Sequence, residues 1–371
     1  MLLLRRLTAA ATALLVAGGL AACSGDEPAR LADPSASASV EVTEGSGSAA
    51  PESAGTIALL MPGAPTMREE RFDKRLFTDR VTELCDSCAV DYYSADQDAG
   101  NQAEQLATAI AGSPGVIVLD AIDPFSVATL VSSAQEVGIA VVGYDTLLDG
   151  LDYYVGFDHA AGGTLQADAL VRATRGTGNL VMLNGPPIDP AAVQAKQATH
   201  LVIDATRAAV IGEFDALDGK ERATRTWFDN LLAFYPPDQI QGVNAGSDDL
   251  AGLATDALVD GGADPADLPP VTGYGAQLAG IRRIIAGQQL MTVYEPIRPA
   301  TDRTAEVAVA ALQGQDPGPA TDLDGVASFL LPPVPVTKDH VDDTVVADGY
   351  WSVGMICKPP YASDCKRVGL R

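Results

Sequence analysis

Histidine is almost missing from this chain: three residues in 371, His159, His200 and His340. None has a second ligand at metal-binding spacing, so each reads as a surface or loop residue and no metal is expected. His-Glu-x-x-His, Gly-x-Ser-x-Gly and a Walker loop are also absent, which removes the usual zinc-protease, esterase and nucleotidase readings, and no catalytic residue or cofactor is expected. Cations are scarce as well. Lys and Arg number 24 against 49 Asp and Glu, a net charge of −25. Such a chain repels phosphate backbones, so nucleic acid is not an expected partner. The apolar run Leu7–Leu20 is shorter than the roughly 20 residues that span a bilayer core.

That run has another use. Arg5 and Arg6 precede it, and the arrangement predicts a signal peptide over residues 1–22. It ends in Leu20-Ala21-Ala22-Cys23, which resembles the bacterial lipobox, where the cysteine after the cut is lipidated. Each buried CH₂ contributes about 0.8 kcal/mol, so two or three acyl chains would hold the protein at the cell membrane from outside the cytoplasm. Without Arg5 and Arg6 the mature charge would be 22 − 49 = −27. Residues 23–55 are Ser, Ala, Pro, Glu and Gly with almost no large apolar side chain; they read as the lipidated Cys23 and a flexible tether.

With Cys23 assigned to lipid, Cys85, Cys88, Cys357 and Cys365 remain, and four cysteines allow three pairings. The near-neighbour pairing, 85–88 and 357–365, closes two short loops and is the expected one. A redox Cys-x-x-Cys normally opens a helix after a strand, whereas Cys85-Asp86-Ser87-Cys88 follows a helical stretch and precedes a strand.

From Thr56 onward short apolar runs alternate with helical periodicity. TIALLMP (56–62), GVIVLD (115–120) and IAVVGY (139–144) read as buried strands, and 68–84, 101–111 and 125–137 as helices. The alternation resumes with Tyr153–Phe157, a helix to about Arg172, and strands near Leu183, Val210, Val243 and Val271. Continuous apolar strands separated by helices predict an α/β chain with two doubly wound parallel sheets, covered on both faces. Solutes meet such sheets at the carboxyl ends of the strands.

Several segments, in order, now carry a likeness. Thr66-Met67-Arg68-Glu69-Glu70-Arg71-Phe72 follows the first strand, and Gly143-Tyr144-Asp145 ends the fourth. Tyr153 to Asp158, Asn184 to Pro190, Leu278 to Ile284, Met291-Thr292-Val293-Tyr294 and Asp343 to Tyr350 follow. Over residues 56–371 the chain resembles the type I periplasmic sugar-binding proteins, nearest the xylose-binding branch of ABC-transporter receptors. The resemblance implies two lobes joined by a three-strand hinge, with crossings near 157, 292 and 328. The amino-terminal lobe would take 56–157 plus 293–328 and the carboxyl-terminal lobe 158–292 plus 329–371. It also implies a small polar solute, a monosaccharide, as ligand and an ABC permease as partner. A repressor of this fold class would need a basic DNA-binding headpiece where the signal peptide stands.

Arg68, Arg71 and Phe72 occupy places where that family supplies groups to a pyranose, with Arg68 and Arg71 expected on one helical face. Asp145, Asp189 and Asp248 match its carboxylates, although helix capping or a turn alone would also explain them. Elsewhere the pattern is broken. Thr146 replaces an arginine, Ala191 and Ser247 asparagines, Ala216 a tryptophan, Gly275 a carboxylate position and Glu295 a lysine. The expectation is therefore a receptor with an altered pocket, the alternative being a sensing or scaffolding lipoprotein that has lost high-affinity sugar binding.

Overall fold

The computed structural model describes residues 55–63, 68–217 and 220–370. The expected signal peptide, Cys23 and all but the last residue of the tether lie outside them, as do Thr66 and Met67.

Each half of the fold begins from short strands, those at the centre of each sheet buried on both faces. In the first half these are β1 (Thr56–Met61), β2 (Ala89–Ser94), β3 (Val116–Leu119), β4 (Ala140–Tyr144) and β5 (Tyr153–Phe157), joined by α1 (Lys74–Leu84), α2 (Ala99–Gly112) and α3 (Pro124–Glu136). The second half runs α4 (His159–Thr174), β6 (Thr177–Asn184), α5 (Pro190–Asp204), β7 (Arg207–Asp215), α6 (Glu221–Phe234), β8 (Gly242–Ala245), α7 (Asp248–Asp260), β9 (Val271–Tyr274), α8 (Leu278–Ala286) and β10 (Met291–Tyr294). The chain then returns through α9 (Ile297–Leu312), β11 (Thr321–Leu323) and β12 (Val326–Leu331), and finishes with β13 (Val334–Val336), α10 (Val353–Ile356) and α11 (Ala362–Val368).

Helix starts are fixed immediately after strand ends. Asp98, Asp123, Asp158 and Asp189 cap α2, α3, α4 and α5 by accepting backbone N–H bonds, and Ser247 does the same for α7. Each cap satisfies donors that the first helical turn leaves unpaired.

Two sheets result. The first has the order β11-β12-β5-β4-β3-β1-β2 and the second β13-β10-β9-β8-β6-β7. The pairings are parallel except at two edges, where β11 runs antiparallel to β12 and β13 to β10. Each sheet is therefore mixed rather than wholly parallel. Strand order reverses between β1 and β3 in one sheet and between β6 and β8 in the other; such switch points open a crevice at the carboxyl ends of the strands.

The chain passes between the sheets after Phe157, between Tyr294 and Ile297, and between Leu331 and Val334. The second and third passages lie a few residues beyond the expected 292 and 328. The cause is pairing: β10 keeps its ladder with β13 through Tyr294, and β12 pairs β5 through Leu331. The lobe boundaries 293 and 329 move accordingly.

Cys85 is bonded to Cys88 and Cys357 to Cys365, the near-neighbour pairing. The second bridge packs beside Ile356 and Leu370 in the core of the second lobe.

Candidate functional site

A cavity of about 450 Å³ opens at the switch point of the second sheet, facing the end of β4 in the first. About half of the residues that line it lie at or just beyond the carboxyl end of a strand. Asp145 and Thr146 come after β4, His159 after β5, Gly185 and Pro186 after β6, Ala216 after β7, Gly246 and Ser247 after β8, and Glu295 after β10, while Tyr274 ends β9. Helices α5, α6 and α7 contribute Ala191, Ala192 and Ala195, Glu221 and Thr224, and Asp249, Leu250 and Leu253. One wall is thus alanine- and leucine-rich, and the polar groups gather opposite it and at the base.

Asp145 stands in left-handed backbone, φ 64°, which turns its carboxylate back toward the first lobe. It accepts from Arg68 Nη2 at 3.0 Å. The Arg68 Nε donates to Asp73 at 3.1 Å, and Tyr144 donates to the other Asp73 oxygen at 2.6 Å. Burial disfavours the Arg68 charge, but Asp73 and Asp145 outweigh it and hold the guanidinium pKa well above its usual value. Thr146 donates to Asp120 at 3.1 Å, and Tyr154 donates to the Asp145 carbonyl at 2.9 Å.

At the base, Tyr274 donates to Glu295 at 2.6 Å, and His159 Nδ1 lies 3.1 Å from the same oxygen. A carboxylate only accepts, so the His159 Nδ1 carries the proton. Burial works against a charged imidazole, yet the bond to Glu295 prevails and raises the His159 pKa. Burial and the Glu295 charge push the Tyr274 phenol far above its ordinary range, so it stays a donor.

The expected site residues separate into three groups. Asp145 and Asp189 line the cavity; Asp189 also caps α5 through Ala191 N at 2.9 Å. Arg68 stands behind Asp145 as its counter-ion. Arg71 and Phe72 are not among the lining residues. The Arg71 guanidinium lies over the rings of Phe72 and Trp351 at 4.9 and 5.4 Å, and Phe72 meets Tyr350 at 5.7 Å. Residues 69–73 form a π-helical turn, wider than an α-turn, so Arg68 and Arg71 do not share a face.

Asp248 is fully buried beneath the cavity rather than facing it. Its carboxylate accepts from Gln289 Nε2 at 2.7 Å, Gln277 N at 2.8 Å and Thr292 Oγ1 at 3.0 Å. Burial pushes its pKa up to about 6 despite those bonds. The cap of α7 is Ser247, and the neighbour Asp249 is the one that lines the cavity.

Sequence reasoning missed His159 and Tyr274 as site residues and counted Glu295 only as a departure. Asp158-His159 directly after Phe157 was the available signal, because a residue that opens a helix at a strand's carboxyl end points into the crevice. Thr146, Ala191, Ala216, Ser247 and Glu295 all line this one cavity; Gly275 does not. Among the described residues no group of three His, Cys, Asp or Glu could hold a metal ion.

A family model described as a periplasmic binding protein domain matches residues 70–316. The D-xylose-binding periplasmic protein of Escherichia coli (strain K12) is 32% identical over 298 residues, covering 76% of this chain and 88% of that protein. The multiple sugar-binding periplasmic receptor ChvE of Rhizobium radiobacter is 28% identical over 296 residues, 72% of this chain and 83% of the receptor. A carbohydrate transporter solute-binding protein from Chloroflexus aurantiacus, solved with D-glucose, superposes with a TM-score of 0.67 at 24% identity, covering 81% of this chain and 97% of that one. An ABC transporter solute-binding protein from Clostridium phytofermentans, solved with β-D-glucose, gives 0.68 at 21%, covering 81% and 99%.

Proposed function

This chain belongs to the type I periplasmic sugar-binding protein family, and from that premise we propose that it is the extracytoplasmic receptor of an ABC-type importer, capturing a small polar solute of the monosaccharide class. The observation that carries the reading is the cavity itself, built at the strand ends of both lobes in a chain whose relatives bind sugars by name. Its partner is an ABC permease. Lipidation of Cys23 would keep the receptor at the outer face of the cell membrane, with residues 24–55 as the tether. Fatty-acid labelling of the expressed protein, lost in Cys23→Ala, tests the anchor.

The pocket is altered with respect to xylose. A site that pairs with hydroxyls loses discrimination steeply when its polar partners go, and Ala191 and Ala216 now face the cavity where a sugar receptor places an amide and an indole. Titration calorimetry with pentoses and hexoses tests this. Weak or absent xylose binding is expected, and micromolar or tighter binding of xylose would sink the altered-pocket reading. The same alanines favour a second reading, a sensing or scaffolding lipoprotein; a thermal-shift screen flat for every solute would select it, since any ligand of the folded state raises Tm by mass action.

A further inference from the structure

We propose that the cleft selects a cationic, amine-bearing polyhydroxylated solute, a protonated amino sugar or aminopolyol, over its neutral counterpart. The proposal rests on the receptor reading above and names the ligand class of that same cavity.

Charge is the first argument. Among the described residues five carboxylates line the cavity, Asp145, Asp189, Glu221, Asp249 and Glu295, and no Lys or Arg does. Arg68, behind Asp145, is committed: it bonds Asp73 and Asp145 at 3.1 and 3.0 Å and also feels Asp120; Arg222 and Arg225 line an adjoining hollow that shares Glu221 and Asp249, and Arg225 is paired with Asp229 and Asp260. On the Arg68 wall one cation thus stands against three acids. Among the described lining residues His159 is the one basic group, and it is held by Glu295.

Geometry is the second, and it separates this cavity from an ordinary acidic surface. Glu295 is only 16% exposed, and its orientation is set by Tyr274 and His159 at 2.6 and 3.1 Å. Asp145 is fixed by Arg68 and by its left-handed backbone. These are anchored acceptors at the base of a cavity, of the kind that gives an ammonium group charge-assisted bonds. Asp189, Glu221 and Asp249 stand in the first turns of α5, α6 and α7 or cap them, where the helix dipole eases but does not cancel their charge.

Closure supplies the third. When lobes of this kind shut on a ligand, water leaves the cleft, and carboxylates in excess of the counter-charge there oppose closure. A neutral sugar offers hydroxyls only. An ammonium offers the missing charge, while the wall of Pro186, Ala192, Ala195, Ala216 and Leu250 receives the apolar C–H face of the ring.

The test is titration calorimetry of the purified protein at pH 7 with glucosamine, galactosamine and mannosamine, each beside glucose, galactose and mannose. At least one amino sugar should bind roughly tenfold or more tightly than its parent. That preference should shrink severalfold between 0.05 and 0.5 M NaCl, as screening requires. Glu221→Gln and Asp249→Asn, both at exposed positions, should each lower it about threefold with Tm unchanged. Parent sugars bound as tightly as the amines would overturn charge selection and leave the receptor reading standing. No binding in either series would overturn both. A preference indifferent to salt and to both variants would remove the ammonium from this cavity.

Discussion

Asp248 bears on stability through three donors that all point at it: the Gln289 amide, the Gln277 backbone and the Thr292 hydroxyl. An asparagine there would turn an N–H toward at least one of them. Asp248→Asn should therefore cost about 2–4 kcal/mol, measured by urea unfolding at pH 7, even though it removes a buried charge. The pH dependence has a definite sign. The folded-state pKa, about 6, lies above the ordinary 3.8, so the folded protein holds that proton more tightly than the unfolded chain. The stabilisation is complete below about pH 4 and declines as pH rises through 6, by roughly 3 kcal/mol in all. A wild-type profile that lacks this decline relative to Asp248→Asn would refute the assignment.

His159 provides a second measurement. Its raised pKa depends on Glu295, so its NMR titration midpoint should fall in Glu295→Gln; an unchanged midpoint would show that the pair does not hold in solution. Because the folded pKa is raised, this pair stabilises the fold below the ordinary imidazole pKa and loses that effect as pH climbs past the raised value. The family resemblance pointed to Asp145 and Asp189, and both line the cavity. It also pointed to Asp248, whereas the neighbour Asp249 is the one that lines the cavity. Neighbours in a helical turn point about 100° apart, and which of them faces the crevice is decided by packing of β9 and β10 that no local pattern encodes.

Among the elements, α4 and α5 lie closest together at Gly163. A Cβ added there would stand 2.1 Å from the Ala195 carbonyl oxygen, a backbone atom that cannot swing aside. Gly163→Ala should lower the denaturation midpoint by the equivalent of about 1–3 kcal/mol with the slope unchanged. A midpoint within error of wild type would mean that the helices part easily. Strands and helices were well marked by apolar run length and by Asp caps such as Asp98, Asp123 and Asp158. The π-helical turn at 69–73 was hidden, because its extra residue leaves the α-helical spacing of Leu76, Phe77 and Val81 intact downstream. The antiparallel edges were hidden too: β11 and β13 are three residues each, too short for a period.

Across the whole molecule, Arg71 and Phe72 before α1 of the first lobe meet Tyr350 and Trp351, which pack on the core of the second. Aromatic and cation–π contacts of this kind contribute of order 1 kcal/mol each, comparable with the gap between open and closed lobes in a hinged protein. Phe72→Ala should shift the small-angle scattering of the unliganded protein toward a larger radius of gyration. An identical curve would show that the contact does not restrain the hinge.

The three passages of the chain between the lobes also govern when folding can be completed. The free side of β5 is covered only by β12, residues 326–331, so the first sheet keeps an open edge until nearly the last tenth of the chain has been made. Neither lobe can close early and independently, and pairing between strands so distant in sequence is slow. A fragment ending at residue 320 would leave the outer edge of β5 unpaired and should self-associate.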